Sequence, residues 1–227
     1  MTQNLNKWVY LSYPLNCETP AYGGGDSLKI QHEKSMEKGD SCNTLYLSLS
    51  NHLGTHIDFP RHFVRAGKTS DDYNPEFWIF NSPFIFDILP VEPGLIIEPE
   101  VVDMDAVPDN IDMLVIKTGF CHLREKDIYW QKNPGFAPGL AAFLRKRFPH
   151  LRVFGFDSIS LSSFAHRETG HEAHKAFLDH PNPILLLEDM DLSAIDNSVK
   201  LKQVIVSPLR VEDADGTPCT VFANIVK

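Results

Sequence analysis

No stretch of the 227-residue sequence approaches the roughly 18 apolar residues needed to cross a bilayer, and no apolar core follows Met1 in Thr-Gln-Asn-Leu-Asn-Lys-Trp8. Neither a membrane helix nor a secretory leader is expected, and a cytoplasmic location follows. Dense Lys/Arg blocks are also missing. The 21 basic and 30 acidic residues leave a net charge of -9, which disfavours nucleic acid and anionic membranes as partners. The four cysteines, Cys17, Cys42, Cys121 and Cys219, form no CxxC pair. That argues against a thiolate zinc knot or a thioredoxin-like centre and suits free thiols in a reducing compartment. Gly23-Gly24-Gly25 lacks the Lys-Ser/Thr of a phosphate loop, so it reads as an ordinary loop of Pro20–Asp26. Internal repeats, low-complexity tracts and linkers are absent too.

What is present is a globular composition, with 43% hydrophobic and 22% charged residues. A chain of this length buries roughly 70 to 75% of its unfolded surface, so one core over 1–227 suffices without metal or disulfide staples. A strand from Trp8 leads into the Gly-rich loop. From Leu45 to Phe59, Leu45, Leu47, Leu49, Leu53, Ile57 and Phe59 recur at period two, which predicts one extended strand closed by Pro60. Met113–Ile116 and Val153–Phe156 read as buried strands flanking a helix within Pro138–Phe148. The run Ile184–Leu187 ends in Glu188, and Val204–Leu209 and Cys219–Val226 predict late strands around the Asp213-Ala-Asp-Gly216 turn. The alternation of strand and helix points to an α/β fold.

Within the Leu45–Phe59 segment the even positions His52, Gly54, His56 and Asp58 share the face opposite the apolar one. Two imidazoles and a carboxylate on one face, with open positions beside them, suit Zn, Mn or Fe in a catalytic site. Gly54 removes a side chain from that face and leaves room for a metal or substrate. Isolated histidines are mostly surface or hydrogen-bonded residues, and ten of them produce chance pairs. Three donors of one parity, with His62 beyond the strand-ending Pro60, are harder to assign to chance. His62 is open to either role, ligand or general acid and base. The second half offers His166, Glu168, His171, Glu172, His174, His180 and Glu188 as further donors, among which spacing does not choose. Aromatic candidates for a pocket are Phe59, Phe63, Tyr73, Phe77, Trp78 and Phe80, most of them expected in the core.

His52-Leu-Gly-Thr-His56-Ile-Asp58-Phe-Pro60-Arg-His62-Phe63 resembles the HxGTHxDxPxHF signature of the cyclase family of metal-dependent hydrolases, which includes bacterial kynurenine formamidases and isatin hydrolases. Weaker similarities at Tyr10–Pro14, Leu114–Gly119, Gly155–Ser160, Ser207–Arg210 and Asp215–Pro218 extend the likeness over most of the chain. The resemblance implies a single domain with a mixed, barrel-like sheet and flanking helices, of the swivelling β/β/α type. It also implies a homodimer or homotetramer, and one or two Zn ions, or Mn, held by His52, His56, Asp58, His174 and Glu188. His62 becomes the catalytic candidate. Ala173-His174-Lys175 fits the family's later ligand context and Ala165-His166-Arg167 competes with it; His174 is preferred because it lies closer to Glu188. The implied activity is metal-assisted hydrolysis of a C-N bond in a small amide, formamide or lactam. A ring-forming or dehydrating enzyme is the first alternative, and a non-catalytic binder of metal or a small acid the second.

Overall fold

The computed structural model describes residues 7–25, 27–88, 91–101, 107–196 and 198–226. Residues 1–6, where no secretory leader is expected, and Asp26 at the end of the Gly-rich loop lie outside the described residues. Thirteen strands occur among those described: β1 (Lys7–Tyr10), β2 (Lys29–Lys34), β3 (Thr44–Ser48), β4 (His56–Asp58), β5 (Ile79–Phe80), β6 (Pro83–Asp87), β7 (Ile96–Ile97), β8 (Met113–Lys117), β9 (Gly135–Phe136), β10 (Val153–Phe156), β11 (Leu185–Glu188), β12 (Lys200–Pro208) and β13 (Gly216–Val226). Three α-helices accompany them: α1 (Ile128–Gln131), α2 (Gly139–Arg147) and α3 (Arg167–Leu178).

The main sheet runs β5-β12-β13-β4-β11-β10-β8-β6, with β1 added on β13. One half, β11-β10-β8-β6, is parallel, and its strands are joined antiparallel to the β4, β13 and β12 half through β4. The parallel strands are near-continuous apolar runs, Met-Leu-Val-Ile in β8 and Leu-Leu-Leu in β11, as strands buried on both faces require. Because β12 also lies against β6, the sheet curls nearly into a barrel. Helices α2 and α3 pack against each other, and the Arg145 guanidinium donates to the Ala176 and Phe177 carbonyls at 2.7 Å each, satisfying the last turn of α3. This is the mixed, barrel-like α/β domain that the sequence implies.

The predicted strand Leu45–Phe59 is the main correction. Only His56–Asp58 is extended in the central sheet; β3 pairs instead with β2 in a separate ribbon, and the chain turns between them. Leu45 and Leu47 are about half exposed, and no side chain from 29 to 50 is buried. Period two was a true signal of strand in two places, and the turn between them kept the parity by accident. Phe77 and Trp78 lie in a short 3-10 turn, while Phe80 is fully buried in β5.

Candidate metal centre

In β4 the residues alternate: Ile57 enters the core, and His56 and Asp58 face the opposite way. The neighbouring strands decide what meets them. β11 runs antiparallel with Glu188 directly opposite His56, and β13 places Gly216 opposite Asp58. Residues directly opposite in an antiparallel pair share a face, so strand register alone sets Glu188 beside His56. The fourth donor comes from α3, where His174 projects from a buried position.

Four side chains thus converge. His56 Nε2 lies 3.4 Å from Glu188 Oε2 and 3.5 Å from Asp58 Oδ1; His174 Nε2 lies 3.5 Å from Glu188 Oε1 and 3.6 Å from Asp58 Oδ2. These separations are long for hydrogen bonds. They fit the edge of a tetrahedral donor cage, about 3.4 Å when each donor stands about 2.1 Å from a shared divalent ion. Each imidazole is oriented from behind. His56 Nδ1 donates to the Gly54 carbonyl at 2.8 Å and His174 Nδ1 to the Gly170 carbonyl at 2.8 Å, so both Nε2 lone pairs face the cluster. Glu188 is fixed by the Leu161 N–H, which donates to Oε1 at 2.8 Å. The donor set of two neutral imidazoles and two carboxylates suits a Zn- or Mn-type ion.

His52 meets this cluster differently. It lies in the turn before β4, with Nδ1 2.9 Å from Asp58 Oδ1 and Nε2 3.1 Å from Asp215 Oδ2. His52, His56 and Asp58 still form a group able to hold an ion, as do Asp58, His174 and Glu188, with Asp58 common to these two, and His52, His62 and Asp215 form a third. His62 stacks on His52, with ring centres 4.0 Å apart, and its Nδ1 lies 2.9 Å from the same Asp215 Oδ2. Asn51 donates to Asp215 Oδ1 at 2.6 Å and completes this arrangement.

The charges explain the titration. Burial opposes charge on His56, yet Glu188 and Asp58 outweigh it and lift its pKa to about 9. His52 and His174 are raised against the same opposing burial, by Asp58 and Glu188 respectively. Burial would raise Glu188, but His174 and His56 hold it far below the usual carboxylate range. Burial and Glu188 push Asp58 up, and His52 and His56 more than offset them. Asp215, despite partial burial, is held at about 2 by His62 and His52.

The remaining sequence candidates separate cleanly. His166, Glu168, His171, Glu172 and His180 are exposed, and His166 lies away from the cluster just before α3. Among the aromatics, Phe63 belongs to the site, stacked on His174 with ring centres 4.5 Å apart. Phe59, Tyr73 and Trp78 line a different cleft of about 660 Å³ that includes none of the clustered donors. Gly54 has a different purpose from the one its position suggests: its φ is +71°, and a Cβ there would stand 2.4 Å from Leu15 Cδ2. The residue that gives the imidazole room is Gly216, where a Cβ would reach within 2.2 Å of His52 Cε1. Asp215, Asn51 and Gly216 were not legible as site residues; the Asp-Gly pair signals a turn, and only the pairing of β13 with β4 brings it to the histidines.

Behind the donors lies a buried support. Arg124 holds Asp189 with two hydrogen bonds of 2.9 and 2.7 Å, Tyr129 donates to the same carboxylate, and Thr55 Oγ1 donates to the Asp189 carbonyl at 2.5 Å. Since Thr55 precedes His56 and Asp189 follows Glu188, this network ties the strands of His56 and Glu188 together.

Comparison with known proteins finds similar proteins over nearly the whole chain. The chain is 28% identical to the kynurenine formamidase of Bacillus mycoides (strain KBAB4) over 214 residues, covering 94% of this chain and 95% of that protein. It is 26% identical to the kynurenine formamidase of Geobacillus thermodenitrificans (strain NG80-2) over 224 residues, with the same coverage. Its fold superposes on isatin hydrolase A from Labrenzia aggregata, bound to benzyl benzoate, with a TM-score of 0.80 at 19% identity, covering 98% of this chain and 94% of that one. A potential metal-dependent hydrolase with cyclase activity is similar at a TM-score of 0.75 and 18% identity, covering 97% of this chain and 98% of that one. With the Cyclase family model matching residues 9–163 on top of these similarities, the chain belongs to the Cyclase family.

Proposed function

We propose that this protein is a metal-dependent hydrolase that cleaves the C-N bond of a small amide, formamide or lactam. The observation that carries the reading is the convergence of His56, Asp58, His174 and Glu188 beside a hydrogen-bonded His62–Asp215 pair. His56, Asp58, His174 and Glu188 would hold the ion, Zn or Mn, with His52 joining through Asp58 for a second one. A divalent ion bound there polarises a carbonyl and acidifies water enough to make a nucleophile at neutral pH.

The protein's own groups supply the rest. Asp215 accepts the His62 Nδ1 proton, so His62 Nε2 keeps a lone pair directed away from that carboxylate. From there it takes a proton from the attacking water and returns it to the leaving nitrogen. Such proton transfer contributes about 10²- to 10⁴-fold. Stacking on His52 fixes the ring plane, and Phe63 walls the site against His174. Asp58 and Glu188 are both held as carboxylates, the form in which they can ligate a cation.

The substrate is a small molecule, and the kynurenine formamidase relatives make a formylated aniline the first one to assay. A homodimer or homotetramer is supported by the β2-β3 ribbon, since a two-stranded ribbon with no buried side chain is marginal in water by itself. Four free thiols support a reducing, cytoplasmic setting. The test is metal analysis of the purified protein together with a panel of a formylated aniline, an isatin-like lactam and a linear polyketide mimic. Release of a carboxylate from either of the first two supports hydrolysis. Ring closure of the third alone would favour the cyclase alternative, and metal binding without any turnover the non-catalytic one.

A further inference from the structure

One wholly buried amide, that of Asn133, holds a segment that touches two of the clustered donors. Its Nδ2 donates to the carbonyls of Ser162 at 2.7 Å, Pro134 at 3.0 Å and Ser160 at 3.3 Å, and its Oδ1 accepts from the Phe164 N–H at 3.0 Å. The two stretches of backbone lie nearly in contact, since a Cβ on Gly135 would stand 2.6 Å from the Ser163 nitrogen. β9 adds a further bond, the Phe136 N–H donating to the Leu161 carbonyl at 3.0 Å. A buried amide without partners is costly, so these bonds fix the path of the chain from 160 to 164.

The same segment reaches the donors. The Leu161 N–H donates to Glu188 Oε1 at 2.8 Å, and the Ser160 hydroxyl lies 3.5 Å from that oxygen. One residue on, Ser162 Oγ lies 3.2 Å from His174 Nδ1, beside the Gly170 carbonyl that accepts its proton. Helix α3 comes this near because Gly170 has no side chain; a Cβ there would stand 2.1 Å from Ser162 Oγ. Glu188 belongs to β11 and His174 to α3, and three consecutive residues contact both.

Distances show what these contacts do. His174 Nε2 and Glu188 Oε1 stand 3.5 Å apart, whereas an imidazolium and a carboxylate free to approach close to about 2.7–2.9 Å. Each is held by another partner, Glu188 by Leu161 and His174 by Gly170 and Ser162. The gap suits two donors sharing one ion, and a shift of the segment would change it.

We infer that Asn133 is a positioning residue of the metal centre: by clamping Ser160-Leu161-Ser162 it sets the distance between Glu188 and His174, and with it the affinity for a divalent ion that it does not touch. The inference rests on the metal-dependent reading above and adds the residue that supports the donors from behind. The test uses the full chain, titrated with Zn against a chromophoric chelator and with Co for its visible spectrum, and urea midpoints are measured beside them. Asn133→Ala releases the segment and should weaken Zn binding about 10- to 100-fold. Ser162→Ala removes one contact to His174 and should weaken it about 10-fold. Both should alter the Co spectrum, which reports the arrangement of the donors. Val204→Ala, a buried truncation in β12, which pairs with neither β4 nor β11, should lower the urea midpoint and leave affinity and spectrum as in wild type. Wild-type affinity and spectrum in Asn133→Ala, or in Ser162→Ala should Asn133→Ala fail to fold, would overturn the inference and leave the metal reading intact. An equal loss of affinity in Val204→Ala would do the same. A wild-type chain that binds neither Zn nor Co would overturn both. Zn affinity that depends on Asn133 in a chain that hydrolyses no amide would keep the inference and end the hydrolase reading.

Discussion

Gly216 lies against the His52 imidazole so closely that a β-carbon on it would overlap the ring, 2.2 Å from Cε1. Its backbone does not need glycine's conformational freedom, since its φ lies outside the left-handed region. The requirement is space alone. The one side of β13 facing Asp58 is thereby left open for the histidine that links Asp58 to Asp215.

Gly216→Ala should therefore displace His52 and separate it from both carboxylates while leaving the sheet paired. A stability loss of about 1–3 kcal/mol is expected from overpacking. Metal content and urea midpoint measured together check this; a variant with wild-type stability and stoichiometry would show that His52 moves without consequence.

His62→Ala should retain bound metal and lose about 10²- to 10⁴-fold in kcat, the range for a positioned proton carrier. Asp215→Asn should act in the same direction, because it withdraws the acceptor that orients His62. His56→Ala and Asp58→Ala should lose metal as well. Elemental analysis beside steady-state rates separates the two groups.

Without metal the cluster holds itself by proton-bearing imidazoles. The folded-state pKa of His56, about 9, lies above its ordinary value of 6.5, so its contribution to stability is complete below pH 6.5 and is lost as pH rises through about 9. Chelator-treated protein should accordingly lose thermal stability across that window. Metal competes with the same proton, so apparent affinity for Zn should rise over the same range. Thermal melts and metal titrations at pH 6, 7.5 and 9 check both signs.

Arg124→Met should destabilise the fold by about 3–5 kcal/mol, since it leaves the Asp189 carboxylate buried without its partner. Tyr129 remains to hydrogen-bond that carboxylate and does not neutralise it. Urea denaturation measures the loss. Metal affinity should fall in parallel, because Thr55 and Asp189 link the strands of His56 and Glu188.

The clustered donors were largely legible because coordination needs particular atoms, and those atoms come from few residue types. His56 and Asp58 two apart in a strand, and Glu188 at the end of an apolar run, follow from alternation and from the rarity of a charge at a core edge. His174 and His166 both match the family's later ligand context, and the shorter gap to Glu188 favoured His174; the structure buries His174 within the donor cluster and leaves His166 exposed. The single long strand failed because period-two hydrophobicity does not register a turn that preserves parity.

By itself the sequence determined the apolar parallel strands, the fold class and the residue types able to bind a cation, because those depend on local chemistry and on nearest neighbours along the chain. Tertiary structure alone decided that Asp215 serves both His52 and His62, and that Gly216 rather than Gly54 makes room for an imidazole. The reason is physical: these relations are fixed by strand register and helix docking between segments more than a hundred residues apart, which periodicity along the chain does not encode.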